Sequence, residues 1–328
     1  MSSQIDKKTA ERVLAFLQGS SRPLIVILGP TASGKTAFSL DLAHSIKAAI
    51  PGRGFGAEIV NADSRQLYKF MDIGTAKISK DEMQGIPHHL INVLDPKEPV
   101  TAAWYKTQAA KVIDDIHKRG NVPMLVGGSM LYISAVIDDL QFVDVADPGQ
   151  RAMLEAAYDK DEGMALYERL QKEDPETAGR FDRRNKPYVI RAAEILESGH
   201  KPSAAKRKGT APYDLLIFGM DIPRDALARC IEERTKTLLQ NGWIDEVRQL
   251  LKDGYTELDP GFGSVGYREI AAAISNGKLK TCGEQSRTIE NSKLKEQLVE
   301  TISAKTRQYA KRQMTWWRRD ERIQWIKL

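Results

Sequence analysis

The chain has 328 residues, of which 41% are hydrophobic and 28% charged, and its formal net charge is +5. This balance indicates a soluble, globular protein with room for about two domains. No stretch approaches the roughly 18 apolar residues of a membrane span, and the two cysteines, Cys230 and Cys282, exclude a disulfide framework and a cysteine-based zinc site.

Residues 1–21 mix acidic and basic side chains and contain no long apolar segment, so no secretory signal is predicted. Their spacing instead predicts an amphipathic helix with Ile5, Val13, Phe16 and Leu17 on its apolar side. Together with the low cysteine content, this favours a cytoplasmic protein.

An apolar run at 24–28 leads into Gly29-Pro-Thr-Ala-Ser-Gly34-Lys35-Thr36 and then into helical spacing. The pattern G-x-x-x-x-G-K-[ST] between a strand and a helix predicts a phosphate-binding loop. Gly29 and Gly34 let the backbone curl so that its N–H groups and the positive end of the next helix face an anion. Lys35 then neutralises phosphate charge, and the Thr36 hydroxyl can hold Mg²⁺.

Strands and helices alternate in the first part of the chain. The alternation predicts an α/β fold, a doubly wound parallel sheet of the P-loop NTPase type, whose ligands bind beyond the carboxyl ends of the strands. The phosphate loop, Asp63 and Gly128-Ser129 all fall at such ends, so we expect them to converge. Beyond the first strand, we predict strands at 58–62, 90–94 and 122–126 and a helix at 101–119.

From Asp138 the sequence becomes charged and helix-rich, and it returns to a strand-like pattern at 213–219. We therefore predict a P-loop core at 1–137, a helical insertion at 138–212, and a return to the core with C-terminal helices at 213–328. Helices are expected at 225–252, as one or two, and at 267–276 and 284–319.

Basic residues cluster in two places. Between 180 and 208 there are nine basic residues against three acidic ones, and between 305 and 322 there are seven against two. Two such surfaces suggest a long polyanion as partner, although solvated surface charge is the alternative for either cluster alone.

The C-terminal helix has a predicted inward stripe and a basic face. Val299, Ile302, Tyr309 and Trp316 recur at helical spacing and form the stripe. Arg307, Lys311 and Arg318 share a different face, with Gln308, Arg312 and Arg319 beside it. We predict packing positions, not base-stacking platforms, for Trp317 and Trp325.

Four further motifs follow the phosphate loop: Asn61–Lys77, Val126–Tyr132, Val265–Arg268 and Thr306–Trp316. In these residues the chain resembles the tRNA dimethylallyltransferases over nearly its whole length. The resemblance implies transfer of a dimethylallyl group from dimethylallyl diphosphate to N6 of the adenosine just 3′ of a tRNA anticodon.

The resemblance also implies residue roles. Asp63 would be the general base, with Thr36 and Arg234 assisting at the departing diphosphate and Mg²⁺ held by Thr36. Diphosphate binding is implied for Gly29, Thr31, Ala32, Ser33, Gly34, Lys35 and Thr36. Contacts with tRNA are implied for Asp63, Ser64, Arg65, Gln66, Gly128, Ser129, Arg191, Gly266, Tyr267, Arg268, Arg307, Lys311, Arg312, Gln313 and Trp316.

By the same resemblance the insertion would contact the anticodon stem. No membrane association and no protein partner are indicated by the sequence, and we expect a monomer. The zinc finger of eukaryotic relatives is absent, so the chain resembles bacterial members. It departs from the family pattern at Ser129, where threonine is usual, at Cys230, where arginine is common, and at Pro187 and Tyr188, where polar or basic residues are usual.

Three alternatives stay open at this point. An adenylate isopentenyltransferase would use the same loop and base on a free nucleotide, but it would not require two basic clusters. An ATP-dependent small-molecule kinase leaves the Asp63-to-Lys77 motif unexplained. A non-catalytic RNA-binding protein would have no need for intact Lys35, Thr36 and Asp63.

Overall fold

The computed structural model describes residues 5–49, 56–143, 148–205, 207–276 and 285–328. Its internal contacts divide the chain into two compact units. The first comprises Met1–Ile137 and Pro212–Leu328, and the second comprises Asp138–Ala211.

A six-stranded parallel sheet forms the centre of the first unit. Its strands lie in the order β3-β2-β4-β1-β7-β8. These strands are β1 (Pro23–Leu28), β2 (Ala57–Ala62), β3 (His88–His89), β4 (Val122–Gly127), β7 (Asp214–Asp221) and β8 (Ile323–Lys327), and the second unit adds the antiparallel pair β5 (Leu140–Gln141) and β6 (Arg207–Lys208).

Helices cover the sheet and follow its strands in chain order. In the first unit they are α1 (Lys7–Gly19), α2 (Lys35–Ala49), α3 (Ala102–Lys118), α4 (Met130–Ile137), α10 (Arg224–Gln240), α11 (Trp243–Lys252), α12 (Tyr267–Ser275) and α13 (Gln285–Trp317), with a 3₁₀ turn at Pro260–Gly263. In the second unit they are α5 (Pro148–Asp161), α6 (Met164–Glu173), α7 (Pro175–Ala178), α8 (Lys186–Glu197) and α9 (Pro202–Ala205).

The central strands are buried along their whole length. Every residue of β2 and β4 is buried, as are Leu24–Leu28 of β1. A parallel sheet covered on both faces favours largely apolar strands of this kind, because each strand faces packed side chains on both sides. The two polar residues of β2, Glu58 and Asn61, are buried and hydrogen-bonded. The predicted doubly wound sheet is therefore confirmed.

The N-terminal helix packs on this core as the sequence predicted. Asp6 caps α1 by accepting the N–H of Thr9 at 2.6 Å. Val13 is buried, and Ile5, Phe16 and Leu17 pack against the same cluster. Capping and one apolar side together fix the helix on the sheet.

One prediction about the sheet edges was wrong, and one edge strand was missed. No strand forms at 90–94: the edge strand is only His88–His89, and Leu90 and Asn92 then take left-handed φ values of 59° and 57° that end the extended run. β8 was not predicted at all, since its five residues become a strand only by pairing with β7, more than a hundred residues earlier in the chain.

α13 also differs in part from its predicted stripe. Its buried positions include Leu298, Ile302, Ala310 and Trp317, whereas the side chain of Trp316 is 45% exposed. Trp316 therefore does not belong to the inward stripe. The packing roles predicted for Trp317 and Trp325 are confirmed, since Trp317 is buried and the ring of Trp325 lies against Gly219 of β7.

The second unit has a small core of its own. Leu154, Tyr158, Val189, Ile190 and Ala193 form its main cluster. In the described ranges of both units, no helix is both long and apolar enough to cross a membrane.

Candidate active site

The phosphate loop joins β1 to α2 in a tight curl. Gly29 and Gly34 have φ values of 154° and 78°, and Ala32, although not a glycine, has a φ of 63°. A Cβ at Gly29 would lie only 3.0 Å from the Cβ of Met220. The curl ends where α2 begins at Lys35, so the positive end of that helix points out of the loop.

Lys35 lies in the loop with its charge largely desolvated. Its Nζ donates to the backbone oxygen of Pro30 at 2.6 Å. Burial lowers the pKa of Lys35 to about 8, against the opposing charge of Asp63, and the positive charge of Arg234 lowers it further. The ammonium group therefore lacks an anionic partner strong enough to offset its burial.

Asp63 follows the carboxyl end of β2 in a turn built by its neighbours. Asn61 Oδ1 accepts the Asp63 N–H at 3.0 Å, and Asp63 Oδ1 accepts the Arg65 N–H at 2.9 Å. Asn61 is itself anchored, because its Nδ2 donates to the backbone oxygen of Leu90 at 2.9 Å. Within the described chain Oδ2 of Asp63 has no hydrogen-bond partner, so it is the oxygen available to a ligand.

Arg234 reaches the same place from α10. Burial lowers the pKa of its guanidinium, and the charge of Asp63 partly restores it. No described residue forms an ion pair or hydrogen bond with Arg234. The loop, β2 and α10 thus bring Lys35, Asp63 and Arg234 together, as expected for ligand-binding groups at the carboxyl ends of parallel strands.

Two cavities meet at these three side chains. The larger, about 780 Å³, extends past Thr36 along the segment 72–78, and the smaller, about 260 Å³, extends between α10, α13 and the segment 263–265. Their shared lining consists of Thr31, Ala32, Lys35, Asp63, Arg234 and Leu238. Two ligands can therefore approach Asp63 from two sides.

The wall of the larger cavity is held by a carboxylate that the sequence did not point to. Glu246 of α11 accepts the backbone N–H groups of Asp72, Ile73 and Gly74 at 2.7, 2.6 and 3.1 Å, and the hydroxyl of Tyr267 donates to it at 2.6 Å. No local pattern marks Glu246, because its partners in the loop are more than 170 residues away.

Lys77 closes the same loop from the other end. Its Nζ donates to the backbone oxygen of Tyr68 and to side-chain oxygens of Asp72 and Asn92, all within 2.7 Å. Lys77 is thus engaged with the protein, and the segment 72–77 acts as a scaffold for the cavity.

The residues with an implied tRNA role occupy several environments. Ser64, Arg65, Gly128, Arg312 and Gln313 line the smaller cavity with Asp63, and Gln66 lines the larger one. Ser129 is buried, and its Oγ accepts the Ser64 N–H at 2.9 Å.

Others are not among the residues that line these two cavities. Tyr267 is fully buried, and a Cβ at Gly266 would overlap the ring of Trp243 at 2.0 Å. Arg268 is exposed and donates to the backbone oxygen of Glu257 at 3.1 Å. Arg191, in the second unit, donates a hydrogen bond to Glu194. In the first unit the half-exposed Trp316 donates to Ser134 Oγ at 3.3 Å.

Arg307 and Lys311 line a separate groove of about 780 Å³ that we call the α10–α13 groove. Its lining combines apolar side chains such as Leu227 and Met314 with the basic residues Arg224 and Arg318 and the acidic Asp225. The basic residues of α13 therefore serve two surfaces, since Arg312 faces the smaller cavity.

Comparison with known proteins identifies the family. A model of the family described as IPP transferase matches residues 66–320. The curated tRNA dimethylallyltransferase of Geobacter sulfurreducens is 37% identical over 94% of this chain and 93% of its own length. That of Geobacter metallireducens is 40% identical over 92% of each.

Solved structures agree with these relatives. The tRNA isopentenylpyrophosphate transferase of Bacillus halodurans superposes with a TM-score of 0.63 at 33% identity, covering 94% of this chain and 90% of that chain. A eukaryotic dimethylallyltransferase acting on tRNA superposes with a TM-score of 0.73 at 26% identity, covering 94% of this chain and 74% of that chain.

A parallel sheet with a phosphate-loop motif, a carboxylate and a half-buried arginine at its carboxyl edge defines a protein with a P-loop-like α/β fold. The family model matches most of the chain, and this match confirms the resemblance that the sequence motifs indicated. The chain belongs to the IPP transferase family, and it is an enzyme of the transferase class.

Proposed function

We propose that the protein transfers a dimethylallyl group from dimethylallyl diphosphate to N6 of the adenosine 3′ to the anticodon of tRNA. The observation that carries the proposal is Asp63, which lies where two cavities meet, one along the phosphate loop and one beside the basic side chains of Arg65 and Arg312. The activities named for the relatives support the same reaction.

The larger cavity suits the prenyl diphosphate. The amides of the phosphate loop, the start of α2 and the cations Lys35 and Arg234 all favour an anion there. Burial lowers the pKa of Lys35 to about 8, and a bound diphosphate would raise it again.

Mg²⁺ also fits this cavity. The described residues contain no cluster of three or more His, Cys, Asp or Glu side chains that could hold a metal alone. Mg²⁺ bound with phosphates needs only one or two protein oxygens, however, and Thr36 and Asp41 both line the cavity. Bound there, the ion would neutralise part of the diphosphate charge.

The smaller cavity suits an adenosine taken out of the anticodon stack. Its walls combine apolar side chains such as Val265 and Ile302 with the guanidinium of Arg312. Unpaired bases are recognised by packing and by contacts to their edges, whereas basic surfaces hold the backbone. We assign the backbone contacts to the cations of α13 and to the second unit, including Arg191.

In the transfer, N6 of adenosine attacks the first carbon of the prenyl group. The N–C bond forms as the C–O bond to diphosphate breaks, and Oδ2 of Asp63 takes the N6 proton. Lys35 and Arg234 stabilise the charge that develops on the departing diphosphate, since they are already in place before the reaction.

Asp63→Asn tests this assignment. We expect label transfer from radiolabelled dimethylallyl diphosphate to unmodified tRNA to fall about a hundredfold or more, the usual contribution of a general base, with tRNA affinity nearly unchanged. The control is Asp81→Asn, which changes an exposed aspartate. Wild-type rates in Asp63→Asn would remove Asp63 as the base.

The same assay, run with free AMP in parallel, tests the acceptor. Label in tRNA alone supports the proposed substrate. Label in AMP alone would make this an adenylate isopentenyltransferase, and label in neither would favour a kinase.

A further inference from the structure

α13 presents one buried amide among its basic residues. Gln313 is only 1% exposed, whereas Arg312, the next residue, is exposed. The family resemblance implied a tRNA contact for both residues. Their environments differ so much that they cannot share one role.

The Gln313 side chain bridges two loops of the active site. Its Oε1 accepts the N–H of Thr31 in the phosphate loop at 3.2 Å, and its Nε2 donates to the backbone oxygen of Gly128 at 2.7 Å. The site is tightly built, because a Cβ at Gly128 would lie 2.3 Å from that Nε2. Both ends of the amide are thus used inside the protein.

Each of these loops holds one partner of the proposed reaction. The phosphate loop carries Lys35, and the Gly128-Ser129 turn holds the segment after β2, since Ser129 Oγ accepts the Ser64 N–H and the Ser129 N–H donates to Ala62. Asp63 lies between these two anchored residues. The amide of Gln313 therefore connects the diphosphate cradle to the turn that orients the base.

We propose that Gln313 is a positioning residue that fixes the diphosphate relative to Asp63, and that it does not contact tRNA. This inference rests on the proposed transfer reaction. It follows that changes at Gln313 act on the diphosphate, whereas changes at Arg312 act on the RNA, although the two residues are adjacent.

The test compares Gln313→Glu with Arg312→Gln. Gln313→Glu keeps the size and an acceptor for Thr31, but it loses the donor to Gly128 and adds a negative charge. We expect the Kd of inorganic pyrophosphate with Mg²⁺, measured by calorimetry, to rise about tenfold, as the loss of a buried hydrogen bond predicts. We expect kcat to fall and the Kd of tRNA to stay within about twofold.

Arg312→Gln should show the reverse pattern, with weaker tRNA binding and unchanged pyrophosphate binding. A rise in the Kd of tRNA alone in Gln313→Glu would overturn the proposal. The pyrophosphate measurement requires no turnover, so it tests Gln313 even if the wild-type enzyme fails to modify tRNA. That failure would overturn the proposed function and not the role of Gln313.

A second variant covers the case in which Gln313→Glu does not fold. In Gly128→Ala the added methyl group would collide with the side-chain amide of Gln313 and displace it. This variant should therefore also raise the Kd of pyrophosphate. In a Gln313→Ala background the added methyl group should have less effect, because the contact at 2.3 Å is removed and only the Gly29 backbone oxygen, at 3.2 Å, stays close. Additive effects would contradict the bridge.

Discussion

Lys35 shows how a single side chain in this site depends on its ligand. The residue is half-buried, its Nζ donates to the backbone oxygen of Pro30, and the nearby Arg234 adds positive charge. Burial disfavours the charged form of a lysine, and a neighbouring anion favours it. Without bound diphosphate, Lys35 is therefore close to losing its proton near neutral pH.

This predicts a pH dependence of diphosphate binding. The pKa of Lys35, about 8, lies below its ordinary 10.5, so Lys35 is about half protonated near pH 8, and the charged form is lost as the pH rises further. We expect kcat/KM for dimethylallyl diphosphate to fall toward a tenfold loss per pH unit above pH 8. A pH profile with saturating tRNA measures this.

Lys35→Arg provides the control, because a guanidinium stays charged throughout that range. The variant should be slower, but it should lose the decline above pH 8. An identical decline in Lys35→Arg would mean that another group titrates.

At the scale of elements, the segment 72–77 depends on α11. Three consecutive backbone amides point at the carboxylate of Glu246, which Tyr267 also contacts. The pattern is typical of an anion-binding nest filled by the protein's own side chain. The loop therefore keeps its shape without a ligand.

Glu246→Ala should loosen this loop. It leaves three N–H groups and a hydroxyl without their acceptor, and we expect the free energy of unfolding to fall by about 2–3 kcal/mol. Urea unfolding measures the loss, and hydrogen exchange at Asp72–Gly74 should become faster.

Asp245→Ala is the matched control on the same helix turn. Among the described residues Asp245 forms an ion pair with Arg248 alone, at the surface, so its loss should cost less than about 1 kcal/mol. Equal destabilisation by the two variants would contradict a special role for Glu246.

The sequence predicted those parts of the structure that depend on residues close together in the chain. The phosphate loop and Asp63 could be brought together from sequence, because parallel strands place their carboxyl ends at one edge. Glu246, Gln313 and β8 could not, since each acquires its role from partners more than a hundred residues away. No turn signal or periodicity encodes such a contact.

At the scale of the whole molecule, positive charge is divided between surfaces. Arg312 belongs to the smaller cavity, and Lys311 belongs to the α10–α13 groove. Charges that bind an RNA backbone release counterions, so each contact adds to the salt dependence of binding. The two adjacent residues therefore report separately on the two surfaces.

Charge reversal distinguishes the surfaces. Lys311→Glu combined with Arg312→Glu should weaken tRNA binding at least tenfold and reduce its slope against log salt concentration by about 1 to 2. Filter binding over a salt range of about 50 to 200 mM KCl gives both the tRNA affinity and the slope.

The single variants then assign the effect. A normal slope in Lys311→Glu, with a reduced slope in Arg312→Glu, would exclude the α10–α13 groove from the RNA surface. Unchanged slopes in both would place the RNA elsewhere on the protein.

The position of the second unit in the chain has a further consequence for how the protein can vary. Ile25 of β1 pairs with Met124 of β4 on one side and with Leu216 of β7 on the other. The entire second unit lies in the connection between those two neighbours. Loop-closure entropy grows only with the logarithm of length, by about 0.6 kcal/mol per doubling. Insertions or deletions in that unit therefore cost the central sheet little, and the unit can diverge in size while the phosphate loop and Asp63 keep their geometry.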